Sequence, residues 1–94
     1  MKDPWIEAAE CLRILSHPHR LQMVDAMRDQ ELSVGELAAV CGIQSHVASE
    51  HLKLLKSKGM ISSRKEGRRV LYSIGDCALY SILDCIKKRY RKQK

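Results

Sequence analysis

The chain has 94 residues and a formal net charge of +6, from 17 basic and 11 acidic side chains. That length holds one domain with a modest core, so residues 1–94 are expected to form a single unit that gains from burying apolar surface in a partner. No run is apolar for the length of a membrane span, and the acids of MKDPWIEAAE exclude the apolar centre of a signal peptide. A cytoplasmic protein is therefore expected, its four cysteines thiols and not a disulfide framework.

In chain order, Asp3-Pro4 sets a helix start, with Asp as N-cap and Pro in the first turn. Trp5, Ala8, Ala9, Leu12 and Leu15 recur at helical spacing as one stripe. Ser16-His17-Pro18 breaks that helix and opens a second, apolar at Leu21, Val24, Ala26 and Met27 and closed by Asp29-Gln30-Glu31. Ser33 and Glu36 have the spacing of a capping box, so a short third helix is expected over about 34–41. Gly42 then supplies the positive φ that a tight turn between helices needs.

The fourth helix, over 44–57, is amphipathic. In 100° steps from Ser49, the residues Ser45, His46, Lys53 and Lys56 share its face. Val47, Ala48, His51, Leu54 and Leu55 fall opposite, and His51 reads there as a packing histidine. Gly59 ends the helix. Strands over 61–65 and 68–74 follow, around Glu66-Gly67, a hairpin signal. Arg64, Lys65, Arg68 and Arg69 crowd its tip, where they repel one another unless a phosphate backbone neutralises them. A capped helix, a glycine turn, a helix with a polar outer face and a basic hairpin together describe a winged helix-turn-helix. The class is mainly α with a small β-hairpin. Candidate DNA-contacting residues are Gln44, Ser45, His46 and Ser49, then Lys53, Arg64, Lys65, Arg68 and Arg69.

The last helix begins near Asp76 and carries a stripe of Leu79, Ile82, Leu83, Ile86 and Tyr90, widened by Ala78 and Cys85. The first and last helices are the expected surfaces of a homodimer. The basic tail KKRYRKQK suits the helix dipole or plain solvation better than a DNA contact.

The run from Ser33 to Ser73, centred on GIQSHVASEHLKLLKSKGMISSRKEGRRVLYS, resembles the ArsR/SmtB family of small winged-helix repressors, and LRILSHPHRLQMV resembles that family's second-helix entry. The resemblance implies three helices, a recognition helix, two strands and a last helix. It further implies a dimer through the first and last helices, double-stranded operator DNA as partner, and release by an effector. One departure is Gln44 where the family places a helix-capping serine, with Ser45 the alternative cap. The family's metal sites are missing. No cysteine lies in residues 32–36, and Ala78 and Arg89 stand where the last-helix site needs histidines. His17 and His19 flank a proline at a helix start, where capping or solvation is expected, so the reading is no metal and no cofactor. Cys41 reads as core. Cys77 in the first turn of the last helix, with Cys85 and Cys11, is the candidate thiol sensor for persulfide, oxidant or arsenite. The alternatives are a winged helix that binds protein, and a repressor with neither metal nor thiol effector. No C-X-X-C and no nucleophile–base pair supports an enzyme.

Overall fold

The computed structural model describes residues 3–75 and 78–90. Five helices and three short strands run in the order α1 (Pro4–Leu15), α2 (Pro18–Ala26), β1 (Leu32–Ser33), α3 (Val34–Cys41), α4 (Ser45–Ser57), β2 (Ile61–Glu66), β3 (Arg69–Ile74) and α5 (Ala78–Tyr90). The mainly α, winged helix-turn-helix class is as expected.

Local chemistry sets most boundaries. The Asp3 carboxylate accepts from the Trp5 N–H at 2.8 Å, and Pro4 occupies the first turn, where a missing N–H costs nothing. His17 caps α2 through its Nδ1, which accepts from the His19 N–H at 3.1 Å. In the capping box, the Ser33 N–H donates to Glu36 Oε1 at 2.8 Å and the Glu36 N–H to Ser33 Oγ at 3.3 Å. Gly42, at φ 67°, ends α3 in the left-handed conformation that side chains resist. Gln44 is the N-cap of α4 but makes no side-chain cap bond, and Ser45 already lies inside the helix. The expectation that Ser45 replaces the missing cap is therefore corrected.

The wing differs from expectation by one residue. Glu66 pairs with Arg69, so the loop is Gly67-Arg68 and not Glu66-Gly67. Gly67 has φ 64° and stands first in the loop, the position at which a type II′ turn wants glycine. The hairpin is also not alone. β1 adds to its other side, giving the antiparallel order β1-β3-β2 with Leu32 opposite Tyr72. Two residues are too few to show period-two alternation, which hid this strand in the sequence.

The core gathers Met23, Val24 and Met27 of α2, Leu37 and Ala38 of α3, and Ala48, Leu52 and Leu55 of α4. Met60 and Ile61 close it beneath the wing, while Leu15 joins from α1 and Leu79 and Leu83 from α5. Most of the α1 stripe stays outside, with Trp5 81% and Leu12 54% exposed, and Ile6 next to it is 64% exposed. Ion pairs brace the ends. The Arg28 guanidinium donates to both carboxylate oxygens of Asp84 of α5 through its two terminal nitrogens and lies over the Tyr80 ring. Lys58, just past α4, donates to Glu10 of α1 at 3.2 Å.

Candidate nucleic-acid interface

The buried residues of α4 fix which way it faces. Ala48, Leu52 and Leu55 are fully buried, and their mean direction lies about 95° around the helix from Ser49, counting 100° per residue. His46, Glu50, Lys53 and Ser57 therefore point away from the core, and all four are exposed. Ser49, expected at the centre of the outer face, is on its flank and half-buried. Leu52 was left out of the expected inner set, and Val47, His51 and Leu54, placed in it, are only half-buried; together these turn the axis. Gln44 and Ser45 are exposed at the helix start, and the absent cap bond leaves the Gln44 amide free to reach outward.

Helix and wing share one frame. The Lys56 ammonium donates to Ser63 Oγ at 2.7 Å, tying the end of α4 to β2. The expected mutual repulsion of four wing cations is reduced, because two of them have partners. Arg64 forms a two-pronged pair with Glu31, Nε at 2.8 Å and Nη2 at 2.7 Å, and stands 3.6 Å from Glu66. Arg69 reaches Glu36 Oε1 at 3.1 Å, the same oxygen that completes the capping box. The pairing drives the Glu31 carboxyl below its ordinary range through the Arg64 hydrogen bonds. The Glu36 carboxyl is lowered too, first by the Ser33 bonds and then by Arg69. Among the described residues, no ion pair holds Lys65, Arg68 or Lys53. Sequence reasoning missed both acid partners, because Glu31 meets Arg64 only through the short strand β1.

Arg20 and His51 were also missed as partners. Arg20 Nε donates to His51 Nδ1 at 3.1 Å and Arg20 Nη1 to the Ile14 carbonyl at 2.9 Å, so one guanidinium joins α1, α2 and α4. His51 does face inward as expected, but what it meets there is polar. His17, His19 and His51 each present a ring nitrogen, and these lie within 4.8 Å of one another. The expectation that His17 and His19 only cap or solvate is corrected to that extent: His17 caps α2, and a third imidazole from α4 joins both. Burial, then the positive fields of His17, Arg20 and His19, hold His51 below the ordinary imidazole range.

Of the candidate thiols, Cys11 and Cys85 are exposed and Cys77 lies outside the described residues. Cys41 is half-buried, its Sγ 3.5 Å from the His19 carbonyl, and burial raises its thiol. It packs, as expected. No helix among the described residues is long and apolar enough to cross a membrane.

Comparison with known proteins agrees with this architecture. A family model described as a helix-turn-helix domain matches residues 15–64. The HTH-type transcriptional regulator YgaV of Escherichia coli is 33% identical over 85 residues, covering 89% of this chain and 86% of that protein. The HTH-type transcriptional repressor SmtB of Mycobacterium tuberculosis is 35% identical over 80 residues, covering 84% of this chain and 59% of that one. Among solved structures, HlyU from Vibrio cholerae superposes with a TM-score of 0.87 at 27% identity, over 98% of this chain and all of that one.

Proposed function

Because the chain belongs to the ArsR/SmtB family of DNA-binding transcriptional regulators, we propose that it is a homodimeric repressor that holds operator duplex with α4 and the β2–β3 wing and releases it to an effector. The observation that carries this reading is the joined surface of α4 and the wing. His46 and Lys53 face outward on α4 above an apolar inner face, Lys56 ties that helix to the wing, and Lys65 and Arg68 stand at the wing's end without acid partners among the described residues. Donors on a helix of this kind reach base edges in a major groove, while wing cations take phosphates. Gln44, Ser45 and His46 are assigned to base reading, with Ser49 on the flank; Lys53, Lys65 and Arg68 are assigned to the backbone.

Arg64 and Arg69 have a conditional role. In the free protein their charge is held by Glu31 and Glu36, and surface pairs of this kind exchange readily. A phosphate recruits them only by displacing a carboxylate. Net phosphate neutralisation by the wing is therefore smaller than four positive charges imply.

The exposed Trp5, Ile6 and Leu12 of α1 supply the second half of the reading. Large apolar side chains left in water beside α5 favour a second copy as their cover. For a thiol-reactive effector, Cys11 and Cys85 are the accessible candidates, and Cys77 belongs to the same proposal. A site in the cytoplasm follows from the role.

The test is footprinting on a library of genomic fragments. A protected pseudo-palindrome with half-sites about 10 bp apart, or a multiple of that, is the expected result. Binding with no sequence preference, or half-site protection by a monomer, contradicts the reading.

A further inference from the structure

We propose that His17, His19 and His51 form a binding site for a divalent transition-metal ion of the Zn2+ class, bridging the start of α2 to α4. Three imidazoles on two elements, with His51 32 residues from His19 and 34 from His17 and ring centroids 4.5 to 5.7 Å apart, are a donor set and not a run of neighbours. Each is half-buried, and together they offer nitrogen donors of the kind that zinc, cobalt, nickel and copper prefer. Around a tetrahedral ion at 2.0–2.1 Å, ligand nitrogens stand about 3.4 Å apart. The present separations, up to 4.8 Å, close to that by side-chain rotation. Three protein nitrogens leave a fourth position for water, and an open groove lined by Glu50, His51, Lys53 and Leu54 adjoins His51.

The hydrogen bonds already present say what occupancy would change. His17 Nδ1 accepts from the His19 N–H, and His51 Nδ1 accepts from Arg20 Nε–H. Both bonds place the proton of the neutral ring on Nε2. An ion on Nδ1 displaces those donors. An ion on Nε2 moves the ring proton to Nδ1, where it confronts the same N–H groups. Either way the ion competes with the cap of α2 and with the Arg20 link to α4. Arg20 keeps its bond to the Ile14 carbonyl, so its guanidinium swings aside without leaving the joint. Metal occupancy is thereby coupled to how α4 sits on α2, and a consequence for operator affinity rests on the DNA-binding reading above.

The test uses the chelator-stripped full chain and Co2+ as the probe. The expected result is one Co2+ per chain, with the visible d–d absorption of a four- or five-coordinate nitrogen site that Zn2+ then displaces. His19→Gln and His51→Gln should each weaken binding by at least about 100-fold, since even outer partners of metal ligands are worth 10–100-fold. His19 is the safer variant, because its side chain makes no hydrogen bond among the described residues, and circular dichroism matching the parent confirms folding. No Co2+ binding at micromolar concentration, undiminished binding in folded His19→Gln, or a thiolate charge-transfer band overturns the site. Duplex affinity is measured separately with and without Zn2+. Failure to bind duplex in both states defeats the DNA reading and leaves the metal site standing, while equal affinity in both states defeats the coupling.

Discussion

The α4–wing surface and the α1 surface are incomplete in opposite ways. On α4 the fully buried residues are Ala48, Leu52 and Leu55, and Val47 and Leu54 are half-buried. The exposed groups of α4 and the wing are mostly imidazole, ammonium, hydroxyl and guanidinium, with the Glu50 carboxylate among them. On α1 only Leu15 is buried, and water meets Trp5, Ile6 and Leu12. Both helices are amphipathic, so periodicity alone does not tell them apart. The difference lies in what the outward face lacks. Unpaired donors and cations ask for a polyanion, whereas exposed apolar side chains ask for another apolar surface.

The comparison breaks first, and most completely, at α1. Ile6→Asp or Leu12→Asp introduces a charge into the proposed dimer surface without touching the core, because both positions are more than half exposed. Sedimentation should report loss of the dimer and intact helicity. An unchanged oligomer would show that α1 is covered by something else. The inner face of α4 comes next. Leu52→Ala removes a fully buried side chain and should cost about 2–5 kcal/mol in denaturant unfolding, enough to endanger a chain of this size. A cost below about 1 kcal/mol would mean that α4 is not anchored as described.

On the outward face, His46→Ala or Ser45→Ala should leave stability nearly unchanged and relax sequence preference by about 1–3 kcal/mol per lost base contact. Competition between operator and mismatched duplex measures it, and an equal loss on both sequences would reassign the residue to the phosphates. The smallest effect belongs to the Arg28–Asp84 brace between the turn after α2 and α5. Hydrogen bonds from Arg28 hold the Asp84 carboxyl below its ordinary range. A depressed folded-state pKa means that this contribution is full above the ordinary carboxylate pKa and is lost as pH falls through the lowered one. Asp84→Asn should therefore slightly flatten the acid limb of the stability–pH curve and leave neutral-pH behaviour close to the parent. A change confined to alkaline pH would contradict the assignment.

Legibility in the sequence followed the range of the interaction. The Asp3-Pro4 start, the Ser33–Glu36 box and the Gly42 turn are contacts within four residues, and all were readable as written. The facing of α4 was readable to within about a quarter turn, the error coming from the omitted Leu52 and from Val47, His51 and Leu54, which are only half-buried. The long-range contacts were not readable. Glu31 meets Arg64 only because β1 joins the sheet, and His51 meets His17 and His19 only because α2 packs on α4. Those contacts redistribute the charge of the wing and gather the imidazoles, so the chemistry of the site depended most on what the sequence hid.

The central claim is that α4 and the wing neutralise duplex phosphates, with Lys65 and Arg68 acting directly and Arg64 and Arg69 held back by Glu31 and Glu36. The direct measurement is the logarithm of operator affinity against the logarithm of salt concentration for the parent and for Lys65→Ala/Arg68→Ala. The account predicts a linear fall for the parent and a slope shallower by about 3.6 units for the double variant, since a dimer loses four cations at roughly 0.9 per phosphate neutralised. A slope equal to the parent's, or no duplex binding by the parent at low salt, would contradict it.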